Sequence, residues 1–345
     1  MPREMEGPPP MTDDDLILAG DIGATKTNLA LFKRASFPGR ALRQRKYTNR
    51  QAGGLTDLVA SFLAEGREKP TLACFGVAGP IRNNRVRMTN LHWLIDGREL
   101  AHRFTIEKIF LINDLVATAM GAPLLGTDEL FSVNEGNKDP RGNIGVIAPG
   151  TGLGEAFLLQ ENNRRLPVAS EGGHADFAPR NRQQLALLDF LWKRDQHVSV
   201  EKVCSGIGLP NIYAFLAASF PVSKDPVVSQ TARGEQTPRI VEAALVALKA
   251  GDKDHICVRT IAVFFDVLAA EAANVALKAL TTGGIYIGGG LCPRMLPVLL
   301  TDRFMDLFVR GVYREMLAEI PVSIILNAKT ALLGAAAYGL ERSAQ

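Results

Sequence analysis

The chain has 345 residues, 47% of them hydrophobic and 22% charged; this is more than one hydrophobic core fills, and it predicts two lobes. Its 39 basic residues are balanced by 36 acidic ones, and a net charge of +3 gives no footing for a nucleic-acid partner. No charge-free apolar stretch is long enough to span a bilayer, so no membrane partner is expected.

In chain order, residues 1–14 mix proline and acid without an apolar signal core, and are expected to form a disordered tail. Leu16-Ile17-Leu18-Ala19 starts a strand, GDIGAT (20–25) turns it, and Lys26 to Phe32 alternates as a second strand. The glycines of that turn are expected to supply positive φ angles. RALRQRKYTNR (40–50) reads as a solvated strand face. Leu55, Leu58, Val59, Phe62 and Leu63 recur at helical spacing across 54–66, and Thr71 to Pro80 is a buried strand closed by Gly-Pro. A further strand, Ile109 to Ile112, stops at Asn113-Asp114 before a helical Leu-Val-Ala-Thr-Ala-Met. An amide and a carboxylate at that junction suit a helix cap. A second reading places them in the crevice beyond the strand ends, where open α/β sheets bind ligands.

NEGNKDPRGN (134–143) is a loop that separates a second segment. There Ile144 to Ala148, Pro149 to Gly154 and Glu155 to Gln160 repeat the earlier strand, Gly/Thr turn and strand, an internal duplication. Helical patterns cover 183–195, 239–250 and 256–280, with a polar loop at 221–238. Gly283 to Gly290 is another strand running into glycines, and 327–342 is a small-residue helix expected to pack closely. Cys74, Cys204, Cys257 and Cys292 form no C-x-x-C pair. Cys74 and Cys257, in apolar surroundings, read as buried hydrophobes of a reducing, cytoplasmic compartment.

Neither glycine turn is a Walker A loop, nor a G-x-G-x-x-G at a strand–helix junction, and each alone reads as structural. Two such turns, each with a threonine (Thr25, Thr151), and a third cluster at 288–290 point instead to backbone N–H groups wrapped around phosphate oxygens. A carboxylate close to such loops could take the proton of a hydroxyl that attacks the phosphate.

GDIGAT, MTNLHW, LINDLVA, APGTGLG, EGGH with DFAP, HVSVEKVCSGIGL and YIGGG stand in the order and spacing of bacterial-type glucokinases, which the chain resembles from about residue 15 to 342. The resemblance implies an α/β, two-lobed actin/hexokinase-like (ribonuclease H-like) fold, with an internally duplicated mixed sheet flanked by helices. A small lobe would hold 15–124 plus 327–345, and a large lobe 125–326. It also implies a homodimer that uses ATP with Mg²⁺ to phosphorylate the 6-hydroxyl of glucose.

By the same resemblance Gly20, Asp21, Ile22, Gly23, Ala24 and Thr25 form the first phosphate loop, with Asp21 organising Mg²⁺ indirectly. Gly150, Thr151, Gly152 and Gly154 form the second, and Gly288, Gly289 and Gly290 the adenosine motif. Asn113, Asp114, Glu171, His174 and Glu201 would bind the sugar, with Asp114 as general base. His174 lacks the cysteine cluster that accompanies a zinc-binding histidine in the related repressor/open-reading-frame/kinase family, so zinc is not expected. Ala24 stands where the family usually has glycine, and Lys26 is expected to face solvent. A kinase for another hexose, or a sugar-sensing regulator without turnover, is the alternative reading.

Overall fold

The computed structural model describes residues 15–88, 91–162, 164–220 and 224–343. The N-terminal tail lies outside these, as do Thr89 and Asn90 of MTNLHW. The chain divides into two compact units; one runs to Leu125 and takes back Lys329 onward, the other is Gly126–Ala328.

The first unit contains β1 (Leu16–Ile22), β2 (Lys26–Lys33), β3 (Arg43–Thr48), α1 (Leu55–Ala64), β4 (Leu72–Val77), β5 (Arg85–Arg87), β6 (Leu94–Asp96), α2 (Gly97–Phe104), β7 (Lys108–Asn113) and α3 (Asp114–Gly121). Its main sheet has the order β3-β2-β1-β4-β7, with β1, β4 and β7 parallel and the β1-β2-β3 meander antiparallel. Period-2 alternation builds both faces. Leu18, Leu29, Leu31, Ala73 and Phe75 meet Leu55, Leu58, Val59 and Phe62 of α1 on one side. Ile17, Ala19, Ala30, Leu72 and Cys74 meet Val116, Ala117, Leu332, Ala335 and Ala336 on the other.

The small-residue C-terminal helix begins at Thr330, three residues later than expected, and runs to Ser343. It lies directly on the backbone of α3: a Cβ at Gly334 would stand 1.7 Å from the Ala117 carbonyl oxygen, and one at Gly121 2.0 Å from that of Thr330. β3 is an edge strand but not wholly solvated, because Arg43 lays its guanidinium 4.7 Å from the centre of the Phe62 ring and pairs with Glu68.

The second unit contains β8 (Leu130–Asn134), β9 (Ile144–Pro149), β10 (Leu153–Glu161), β11 (Arg164–Ser170), α4 (Arg182–Trp192), α5 (Leu209–Ser219), α6 (Pro226–Gln230), α7 (Gln236–Lys249), α8 (Ile256–Ala279), β12 (Gly284–Ile287), α9 (Cys292–Met295), α10 (Thr301–Phe308), α11 (Arg314–Glu319) and β13 (Val322–Ile325). The sheet order is β11-β10-β9-β12-β13-β8. Its first five strands repeat the first unit's pattern: an antiparallel meander, then two further strands that run parallel to its innermost one. The 24-residue α8 is buried on nearly every side, which suits its lack of a polar face. The segment 221–238 is not all loop, since α6 starts on Pro226 with Asp225 capping Val228 N–H. All four cysteines are buried and free.

Candidate active site

In the first unit, parallel register sets Ile22, Val77 and Asn113 level at the carboxyl edge of β1, β4 and β7. GDIGAT and LIND therefore meet at one sheet edge, although about ninety positions separate them in sequence. Asp21 lies one step inside that edge. Its Oδ2 accepts from Asn28 Nδ2 at 3.1 Å, and burial lifts its carboxyl above the usual aspartate value against the pull of that bond. Its Oδ1 has no hydrogen-bond partner among the described residues.

The turn itself is Gly23-Ala24-Thr25, closed by Gly23 N–H to the Lys26 carbonyl at 3.0 Å. Contrary to expectation, no residue of GDIGAT has positive φ. Gly20 is glycine for space: a Cβ there would stand 2.5 Å from the Phe75 ring. The turn's shape comes instead from Asn49, only 1% exposed. Its Nδ2 donates to the Gly23 carbonyl at 2.8 Å, its Oδ1 accepts from the Thr27 hydroxyl at 2.8 Å, and its own N–H donates to the Thr25 carbonyl at 3.0 Å. Ala24, Thr25 and Lys26 are exposed, so the Ala24 methyl is not wedged into the turn. The N–H groups of Ala24 and Thr25 have no acceptor among the described residues, which leaves them for an anion.

Of the two candidates for capping α3, Asn113 takes the role. Its Oδ1 accepts from Leu115 N–H at 2.9 Å and Val116 N–H at 3.4 Å, while among the described residues its Nδ2 has no partner. Asp114 is the first helical residue; its Oδ1 accepts from Leu115 N–H at 3.0 Å. A carboxylate at a helix N-terminus is stabilised as the anion by the aligned peptide dipoles. Gly76 lets β4 pass beneath, since a Cβ there would stand 2.8 Å from the Ala117 methyl and 3.8 Å from Asp114 Cα.

In the second unit the predicted residues gather around Leu153. Gly150-Thr151-Gly152 links β9 to β10, with Gly150 N–H donating to the Gly152 carbonyl at 2.8 Å. Leu153 N–H donates to Glu201 Oε2 at 2.8 Å, and that carboxylate fills the space a side chain at Gly152 would take. Glu201 thus stands at the turn, in the 3₁₀ segment Val200–Lys202, and not on an exposed helix. Gly173 of the EGGH turn packs on the other side of Leu153, where a Cβ would fall 2.1 Å from its carbonyl oxygen. Glu171 and His174 flank that glycine, both exposed. Bonds from Phe177 N–H to the Val198 carbonyl and from Val200 N–H to the Ala175 carbonyl, each 2.9 Å, zip DFAP to HVSVE.

Cys204 to Ile207 brace the turn from behind: Gly206 N–H donates to the Gly150 carbonyl at 2.8 Å and Ile207 N–H to that of Thr151 at 3.1 Å. Thr151 is exposed, and the N–H groups of Thr151 and Gly152 have no acceptor among the described residues. Beside them Gly289 has φ +80, and a Cβ there would stand 2.2 Å from the Pro149 carbonyl oxygen; at Gly290 a Cβ would meet nothing within 4 Å. Gly154 lies within β10 next to Leu153, and Gly288 N–H is tied to the Ile147 carbonyl at 2.8 Å, so neither offers an open loop amide.

A sequence profile of the glucokinase family matches residues 18–342. The chain belongs to the glucokinase family. The glucokinase of Nostoc punctiforme is 39% identical over 333 residues, covering 93% of this chain and 98% of that one. The crystal structure of a glucokinase from an Antarctic psychrotroph is 32% identical and superposes with a TM-score of 0.82, covering 95% of this chain and 99% of that chain. A Balamuthia mandrillaris glucokinase crystallised with glucose has the same fold at 20% identity, with a TM-score of 0.73 over 95% of this chain and 94% of its own. The actin/hexokinase-like fold implied by the motifs is the one this glucokinase-family chain adopts.

Proposed function

We propose that this glucokinase-family chain transfers the γ-phosphoryl group of ATP to the 6-hydroxyl of glucose, with Asp114 as general base. Family membership over nearly the whole chain supports the reaction. The observation that carries the role of Asp114 is the division of labour at the start of α3. Asn113 takes the cap position, and Asp114 follows as the first helical residue, its carboxylate at the carboxyl edge of the sheet.

At the helix start, Asp114 takes the proton of the sugar hydroxyl as that oxygen attacks phosphorus. Asn113 Nδ2 donates to a sugar oxygen, and Glu171, His174 and Glu201 supply the further acceptors and donors that vicinal hydroxyls need. Glu201 has a second duty, since its Oε2 already fixes the phosphate turn through Leu153. The amides of Ala24, Thr25, Thr151 and Gly152 serve the phosphate oxygens without side chains intervening. Gly289 and Gly290 leave room for the adenosine part. Mg²⁺ would neutralise phosphate charge, and Asp21, whose Oδ1 has no partner among the described residues, would be the carboxylate that helps to hold it. The resemblance further assigns a homodimer in the cytoplasm.

The test is Asp114→Asn, with ADP release measured across a panel of hexoses and phosphoryl donors. Glucose with ATP is the expected best pair for the parent chain, and the variant is expected to lose about 10²–10⁴-fold in kcat with little change in the glucose KM. A folded variant with near-parental turnover refutes the assignment.

A further inference from the structure

Behind the second phosphate turn lies a cavity of about 340 Å³, lined by Arg194, Asp195, Lys202, Ile207, Asn211 and Arg233. None of these belongs to the substrate or nucleotide residues assigned above. Three of the six are cations and one is an acid, and that acid is spoken for: Asp195 Oδ1 accepts from Lys202 Nζ at 2.8 Å. Both guanidiniums turn to a neutral group. Arg194 Nη2 donates to Asn211 Oδ1 at 3.1 Å, and Arg233 Nη2 donates to the same oxygen. Arg194 is steadied by the Phe190 ring, 5.3 Å away. Among the described residues each planar fork keeps most of its five donors unused, and the two repel one another. Burial and the charge of Arg194 hold the Arg233 guanidinium below its ordinary value, against the pull of the Asp195 carboxylate.

Asn211 is 6% exposed and fixed from its other end, where Nδ2 donates to the Lys202 carbonyl at 2.7 Å. It holds the two guanidiniums at a common point, a built receptor for an oxyanion with several acceptor oxygens. The cavity wall also continues into the phosphate turn. Ile207 N–H binds the Thr151 carbonyl, Gly206 N–H binds that of Gly150, the Ser205 hydroxyl binds the Glu201 carbonyl at 2.6 Å, and the Thr237 hydroxyl donates to the Gly206 carbonyl. An occupant that draws Arg194 and Arg233 together bears on Asn211 and Lys202, and through them on the segment that braces Gly150-Thr151-Gly152.

We propose that the Arg194–Arg233 cavity is a second anion site, which takes a phosphate dianion, free or as a small phosphate monoester, and is read out at the second phosphate turn. The proposal goes beyond the kinase reading and is measurable without turnover.

Inorganic phosphate and phenyl phosphate, an ester that is neither substrate nor product of the proposed reaction, are titrated separately into the full chain by calorimetry, with and without saturating AMPPNP and Mg²⁺; the two titrants separate free phosphate from ester. Expected is one saturable site with Kd on the order of 1 mM, weakened by more than about tenfold in Arg194→Gln and in Arg233→Gln, and persisting when the nucleotide analogue is bound. Arg233→Lys, which keeps the charge but loses the fork, should fall between. Circular dichroism checks that the variants are folded. No saturable binding, equal affinity in the Arg194→Gln/Arg233→Gln double variant, or loss of binding on adding the analogue each overturns the proposal; the last would mean that the phosphate had occupied the nucleotide's own site.

Discussion

Glu155→Gln probes the electrostatics beneath the Glu171–His174 turn. Glu155 sits on β10, 1% exposed, with Oε2 lying where Gly172 has no side chain. Its Oε1 has no hydrogen-bond partner among the described residues. Burial above all, with the charge of Glu271 adding and Lys278 opposing, pushes its carboxyl up to about 7. An unfolded glutamate titrates near ~4.3, so the folded state binds this proton more tightly. The resulting stability is complete below about pH 4 and is lost as pH rises through about 7; above that, the folded chain carries a buried anion. A shift of roughly 2.5 pH units corresponds to about 3 kcal/mol.

Gln has nearly the same shape and no charge, so the variant should be more stable than the parent by up to about 3 kcal/mol at pH 8.5, and by less than about 1 kcal/mol at pH 5. Urea unfolding of both proteins at both pH values measures this. Equal gains at the two pH values, or a loss at pH 8.5, would refute the electrostatic reasoning.

Asn49→Ala removes the donor to the Gly23 carbonyl and the acceptor of the Thr27 hydroxyl, both internal; a stability loss of about 2–3 kcal/mol and a raised KM for ATP are expected. Denaturation and steady-state kinetics check the pair, and an unchanged KM would mean that the Gly23–Thr25 turn held by Asn49 does not act on the nucleotide. Gly289→Ala puts a methyl against the Pro149 carbonyl at a φ that L residues rarely adopt, so AMPPNP affinity measured by calorimetry should fall by about tenfold or more.

Much of the fold was legible because its strands alternate cleanly and its sheets repeat one pattern. Leu16 to Phe32 shows a hairpin at first sight, and Ile144 to Gln160 shows the same hairpin again. What stayed hidden depends on contacts distant in sequence. Asn49 shapes a turn more than twenty positions upstream, and nothing in TNRQ marks it. Glu201 is matched to its motif, yet its bond to Leu153, 48 positions away, emerges only once DFAP and HVSVE pair. Glycine is ambiguous in the same way. The letter does not say whether backbone freedom or absent volume is needed, so Gly20 was read for its φ when the Phe75 ring is the reason, while Gly289 needs both. Asn113-Asp114 shows the limit at a single junction: composition announces a helix start, but which of the two residues serves it is settled by geometry.

The last helix of the chain completes the first unit. Leu332, Ala335 and Ala336 cover the face of β1 and β4 that carries Ile17, Ala19 and Cys74. A ribosome makes that lid only after threading roughly 200 intervening residues, some tens of seconds at ~5–20 residues per second. During synthesis the earlier-made sheet therefore waits half-covered while the later-made unit already has all its strands, so of the two units the one begun earlier is completed later.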